Sequence, residues 1–140
     1  RSFLLRAASG LAALSAVGLA GACDDGASKA DEAPEGVHTG TLGIVVTFVS
    51  PGPALGENTL DIEVSDADGG PLDEAEVMVT TYMPAHGHGS PREPVVTAQG
   101  DGSYRATSVV LHMPGSWRVT VRAERAGAYG QRVLTFSLDG

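Results

Sequence analysis

The 140-residue sequence is poor in cysteine, in aromatic residues and in positive charge. Its one cysteine, Cys23, cannot form a disulfide within the chain, so burial and backbone pairing must hold the fold. Aromatic residues make up 5% of the chain, and nine basic residues stand against 17 acidic ones, which gives a formal net charge of −8. Because this charge repels phosphate backbones and no basic stripe with interleaved aromatics occurs, we expect no nucleic-acid partner.

Catalytic signatures are missing as well. The sequence contains no Gly-x-Ser-x-Gly motif, no His-Glu-x-x-His motif and no phosphate-binding loop. The segment Asp66-x-Asp68-Gly69 has two aspartates of a calcium loop, but its glycine comes too early and a third aspartate is missing, so it indicates a turn. We therefore expect no enzymatic activity and no small-molecule substrate.

Glycine and proline are plentiful, with 19 and 8 residues, while charged residues make up only 19%. This composition is typical of short strands joined by many tight turns, and it favours an all-β protein. The length allows one domain with a modest core.

Residues 1–22 have the features of a secretory signal peptide. An apolar run follows Arg6 and ends in small residues at Ala22. The run covers residues 7–22, which is shorter than the roughly 20 residues that a membrane-spanning helix needs. We therefore predict a cleaved leader, with a retained membrane helix as the alternative.

The segment Leu19-Ala-Gly-Ala-Cys23 resembles the lipobox of bacterial lipoproteins, in which the cysteine is acylated and becomes the mature N-terminus. The resemblance implies lipidation of Cys23, anchoring to a membrane, and a location on the extracytoplasmic, periplasmic face of the cell envelope. Ala20 stands where leucine is commonest, and ordinary cleavage after Ala22 is the alternative. In Gram-negative lipoproteins an aspartate in the position of Asp24 often marks retention at the inner membrane.

Residues 23–40 predict a lipid-anchored flexible linker. They are mostly Asp, Gly, Ala, Ser, Glu and Pro, with hardly an apolar side chain larger than Val37. Such a segment buries too little surface to offset its ordering entropy. We expect a solvated His38 and a folded domain over residues 41–140.

Period-two alternation runs through that domain. Leu60, Ile62 and Val64 alternate with polar residues, and the same pattern recurs around Trp117, which predicts half-buried strands. About seven antiparallel strands with turns between them predict an immunoglobulin-like β-sandwich, with a small barrel as the alternative. The predicted strands are 41–49, 60–65, 75–82, 94–98, 103–111, 117–124 and a last strand with Leu134, Phe136 and Leu138 inward.

Two segments, Met83-Pro-x-His86-Gly-His88-Gly and Met113-Pro-Gly-x-Trp117-x-Val, resemble the YtkA-like domain. The earlier Asn58-x-Leu-x-Ile-x-Val-x-Asp66 run adds to the resemblance, which covers about residues 41–125. A more distant likeness is to the periplasmic part of FixH-type proteins. The resemblance implies an envelope-facing sandwich, of a kind sometimes found with metal-handling or oxidase-assembly partners.

Five soft or nitrogen donors fall within two short loops: Met83, His86, His88, His112 and Met113. The loops follow the third and fifth predicted strands, so alternating strand direction brings both to one end of the sandwich. Thioether and imidazole donors together suit copper, Cu(I) above all. We predict Met83, His86, His88 and Met113 as ligands. His112 either replaces one of these ligands or orients one of them without binding the ion itself.

A purely structural interpretation of the same methionines stays open. Met83 shares the strand parity of Val77 and Val79, which places it equally well in the core. Met113 is equally suited to packing beneath the Trp117 turn as a flexible filler.

The leading hypothesis is a membrane-tethered, extracytoplasmic module that holds copper or passes it between envelope proteins. Zinc would require the three loop histidines plus Glu93 and would leave the methionines unused. The alternative is a protein-interaction or structural accessory domain of an envelope complex, without metal, that docks through a sheet face or an edge strand.

Overall fold

Alternating apolar residues build two antiparallel β-sheets that share one core. The structure is a computed structural model and describes residues 36–49 and 52–140. Its strands are β1 (Gly36–Gly40), β2 (Gly43–Phe48), β3 (Gly56–Ser65), β4 (Glu76–Tyr82), β5 (Val95–Gly100), β6 (Ser103–Leu111), β7 (Gly115–Arg125) and β8 (Ala128–Leu138). The described ranges contain no helix long and apolar enough to span a bilayer.

The strand order is β1-β8-β7-β4 in one sheet and β2-β3-β6-β5 in the other. Every pairing is antiparallel. This confirms the predicted all-β sandwich, with eight strands in the described chain where the sequence predicted about seven.

The additional strand, β1, lies in the last five residues of the predicted linker. Gly36–Gly40 pairs with β8, from Leu134 to Gly130, and the Nε2–H of His38 donates to the Leu42 carbonyl at 2.7 Å. The prediction of a flexible linker up to residue 40 is therefore wrong for this segment. Its side chains, Val37 included, are mostly exposed, and backbone pairing along the edge of β8 orders the strand without burial of apolar side chains. The predicted signal peptide, Cys23 and the linker up to residue 35 lie outside the described residues.

The core lies between the two sheets and is built mainly from their inner strands, β7 and β8 in one sheet and β3 and β6 in the other. Leu60 and Ile62 on β3 and Trp117, Val119 and Val121 on β7 are fully buried, as their alternation predicts. On β8, Leu134 and Leu138 are buried and Phe136 is half-buried. Burial on this scale supplies the main free energy of folding in a domain that the sequence leaves without disulfides.

The Asp66 segment forms a turn, in agreement with the sequence. The Oδ1 of Asp66 accepts hydrogen bonds from the backbone N–H groups of Asp68 and Gly70 at 2.9 and 2.8 Å. The carboxylate is thereby used to close its own loop.

Candidate metal site

The first loop of the site is a tight turn that begins at Met83. The Met83 N–H donates to the His88 carbonyl at 2.8 Å, and the N–H groups of His86 and Gly87 donate to the Met83 carbonyl at 3.1 and 3.0 Å. Gly87 has φ +69°, a conformation that glycine adopts without strain. Backbone hydrogen bonds thus close the turn that carries both histidines.

The Met83 side chain points away from that tip and into the core. It is 1% exposed, and a Cβ built on Gly115 would lie 2.8 Å from its terminal methyl carbon. The thioether of Met83 therefore packs under the second loop. The sequence allowed Met83 either this core position or a ligand role.

The second loop, residues 112–114, connects β6 to β7. His112 is exposed, while Met113 is half-buried and packs against the core. The indole N–H of Trp117 donates to the Met113 carbonyl at 2.9 Å. A fully buried tryptophan thus fixes the backbone that carries both donor side chains.

The two loops meet through their histidines. The ring centres of His86 and His88 are 5.8 Å apart, and those of His88 and His112 are 5.9 Å apart with the planes inclined by 23°. The His112 ring lies 5.5 Å from the ring of Trp117, edge to face. The three imidazoles form a row, with His88 in the middle and the core tryptophan at one end.

These separations match those of imidazoles that share a metal ion. Two rings that bind one ion at about 2 Å have their centres roughly 5 to 6 Å apart. The Nδ1–H of His88 also donates to the Gly89 carbonyl at 3.0 Å. A neutral His88 ring that donates through Nδ1 has its lone pair on Nε2, which is then the nitrogen able to bind a metal ion.

Among the described residues, His, Cys, Asp and Glu side chains alone do not provide a complete set of metal ligands. In the described part of the chain, no three His, Cys, Asp or Glu side chains are grouped so that they could hold one ion. Glu93, which would be the fourth ligand of a zinc site, instead lines a groove beside β4. The row offers adjacent imidazole pairs, and a further donor must come from a residue of another type, of which Met113 is the nearest in sequence to His112.

Sequence reasoning did not identify Trp117 and Gly115 as parts of this site. The alternation placed Trp117 only in a half-buried strand, and Gly115 entered only as part of the Met113-Pro-Gly-x-Trp117 segment. The spacing from Met113 to Trp117 is the signal that could have found the first, because it allows the indole to cap the carbonyl of the same turn.

Fold and site together define a small two-sheet β-sandwich domain with a histidine row at one end. Comparison with protein families matches residues 42–122 to the family described as YtkA-like. This match covers more than half of the sequence, so the chain belongs to the YtkA-like family. A search of curated proteins gave no match.

Among solved structures, the chain is similar to a copper-bound variant of FetP from uropathogenic Escherichia coli strain F11. The TM-score is 0.51 at 11% sequence identity, and the similarity covers 77% of this chain and 96% of the FetP chain. At this identity the likeness concerns the fold alone.

Proposed function

We propose that this protein is a membrane-tethered, extracytoplasmic module that binds copper at the end of its sandwich. The ligands in this proposal are drawn from His86, His88 and His112, with the thioether of Met113. The observation that carries it is the close approach of His88 and His112, which brings imidazoles from two separate loops to 5.9 Å.

Donor chemistry favours copper over other ions. Imidazole and thioether together are soft enough to select Cu(I), and the folded domain has no thiol that would compete for it. Zinc would leave Met113 unused and would need an oxygen donor that the histidine row lacks. The copper-bound FetP variant supports the proposal, since a protein of similar fold holds this metal.

Met83 has a different role in this proposal from the one the sequence predicted. Its backbone closes the turn that carries His86 and His88, and its side chain packs against Gly115, the first residue of β7 directly after the other loop. It therefore positions the ligands without binding the ion.

The leader and Cys23 complete the proposal. Acylation of Cys23 would anchor the domain at the envelope membrane, where it holds copper or passes it to envelope proteins without catalysing a reaction. A single acyl chain binds a membrane only reversibly, and stable anchoring needs at least two membrane-binding groups. Lipoprotein acylation supplies several acyl chains at one cysteine.

A Cu(I) loading experiment tests the copper assignment. The full chain carries Cys23→Ser to exclude thiol binding, is loaded under reducing conditions and is passed over a Cu(I) chelator. We expect about one ion per chain to be retained and the double substitution His86→Ala with His88→Ala to abolish retention. His38→Ala is the matched control, because His38 lies on β1 and bonds to Leu42.

Equal retention by the double variant and the control would contradict the proposal. It would favour the alternative of a metal-free accessory domain in an envelope complex. The core position of Met83 favours this alternative, because it accounts for one of the predicted ligands without a metal.

A further inference from the structure

A groove of about 490 Å³ separates the outer strands of the two sheets. One wall of the groove is β4, from Glu76 to Thr81, and the opposite wall is formed by Ser90, Arg92–Pro94 and Val96. The volume lies within the roughly 300 to 1,000 Å³ of ligand pockets, and the groove is open to solvent. The groove lies beyond the histidine turn on the same connection between β4 and β5.

The wall formed by β4 carries unused hydrogen-bonding groups. Among the described strands, β4 is the last one of its sheet and pairs only with β7. No backbone hydrogen bond within the described ranges reaches the outer side of Glu76–Thr80. At Thr81 the edge is covered by Ser90, whose backbone N–H donates to Thr81 Oγ1 at 3.0 Å. Every second residue of that edge directs its N–H and C=O outward, as a template for another strand.

Side chains on the groove walls suit an extended peptide. Val79 is buried, and Val77 and Val96 are half-buried, so alternate side chains of an added strand would pack between the sheets. Natural edge strands are commonly blocked by lysine or proline. β4 has neither, and it exposes 54% of Met78 beside the groove.

Charge at the groove defines the occupant further. Glu76 and Glu93 stand on opposite walls and are exposed, and neither forms an ion pair with a described residue. Arg92, the one cation among the described lining residues, faces Glu57 at 3.7 Å. The chain as a whole has a formal net charge of −8. Lysine or arginine side chains are therefore the complement of this rim.

We propose that the β4–β5 groove binds an extended peptide segment of a partner protein, added to β4 as a further strand and bearing lysine or arginine. The backbone edge supplies the affinity, and the two glutamates select the charge. This site is separate from the copper proposal, and its test is run on metal-free protein.

NMR titration of the full chain in the presence of EDTA tests the site. The probe is a synthetic peptide of about eight residues, a common strand length, in which valine alternates with lysine. Matched peptides carry glutamate in place of lysine, or N-methyl groups on alternate backbone nitrogens. We expect amide shifts confined to β4 and residues 90–96, affinity about tenfold lower for the glutamate peptide, and no binding of the N-methylated peptide.

Charge reversal on the protein provides the second arm. Glu76→Lys with Glu93→Lys should reverse the preference, so that the glutamate peptide binds better. The matched control is Glu63→Lys with Asp139→Lys, which changes the net charge equally at exposed positions away from the groove.

Equal binding of both peptides, shifts outside the groove, or a control pair that reverses the preference as fully would each overturn the proposal. Dimerisation of the chain alone with protection of β4 amides would also overturn it, because a second copy would then be the occupant.

Discussion

The rings of His88 and His112 lie 5.9 Å apart, although the two residues belong to different loops. Their backbones are held by separate devices: the Met83 turn fixes His88, and the Trp117 indole fixes the residue after His112. Two rigid supports thus bring two imidazoles together before any ion arrives. Such preorganisation lowers the ordering cost of binding.

Single histidine substitutions should weaken copper binding unequally. His88 is the middle ring of the row and neighbours both others, so His88→Ala should cost the most affinity, roughly 10- to 100-fold or more. His86→Ala and His112→Ala should each cost less. Competition with a Cu(I) chelator measures the order, and a loss in His38→Ala as large as in His88→Ala would contradict it.

Tryptophan fluorescence should report copper binding directly. Trp117 is the only tryptophan of the chain, is fully buried, and has its ring 5.5 Å from that of His112. Dissolved ions cannot collide with it, so Cu(II) should quench its emission only when held in the histidine row. Quenching should saturate near one equivalent in the wild type, and His112→Ala should need more copper to reach the same level, in line with its lower affinity. Emission that stays constant while copper is retained would place the ion elsewhere.

Methionine substitutions separate core from ligand roles. Met83→Ala should destabilise the fold by about 2 to 5 kcal/mol, because it opens a cavity beneath Gly115. Met83→Leu should cost less than about 1.5 kcal/mol and retain copper. Met113→Leu should instead lower Cu(I) affinity at nearly unchanged stability.

Met78→Leu serves as the control for both, since Met78 is 54% exposed and lies outside the site. Urea unfolding and chelator competition give the two readouts. Copper loss in Met83→Leu with full retention in Met113→Leu would reverse the assignment.

Stability should depend on pH through Asp61 and Arg105. Arg105 donates from Nε at 2.8 Å and from Nη2 at 3.0 Å to the two carboxylate oxygens, and this lowers the pKa of Asp61. Because the folded-state pKa is below the unfolded value, the pair stabilises the fold above the ordinary aspartate pKa, and the gain is lost as the pH falls through the lowered value.

Asp61→Asn should therefore be less stable than wild type at neutral pH, by a small amount for so exposed a pair. The difference should shrink once the pH drops below about 4. Urea unfolding across that range measures it, and a difference that grows on acidification is the contrary outcome.

Removal of β1 tests the corrected domain boundary. A chain that starts at residue 41 loses the pairing of Gly36–Gly40 with β8 and the hydrogen bond from His38 to Leu42. Its melting temperature should fall at least about 5 °C below that of a chain that starts at Gly36. Equal melting temperatures would show that β1 adds nothing to stability.

Sequence reasoning performs well where burial decides the structure. The alternation of Leu60, Ile62 and Val64 identifies β3 and its inward face, and the same holds for β7 around Trp117. It misses β1, because an edge strand is ordered by backbone pairing that leaves no apolar pattern in His38 and its neighbours.

The candidate site was predictable in part. Counting strand directions brings the two histidine loops to one end, but ring separations depend on register and on the Met83 turn, which composition does not encode. The parity of Met83 with Val77 and Val79 was compatible with a core role and with a ligand role, and its 1% exposure favours the core role.

X-ray absorption at the copper edge tests the central claim most directly. The Cys23→Ser chain, loaded with about one equivalent of Cu(I), should show imidazole nitrogen near about 2 Å together with one sulfur scatterer. The sulfur signal should disappear in Met113→Leu and persist in Met83→Leu. A spectrum without imidazole scattering, or a sulfur signal that disappears only in Met83→Leu, would contradict the account.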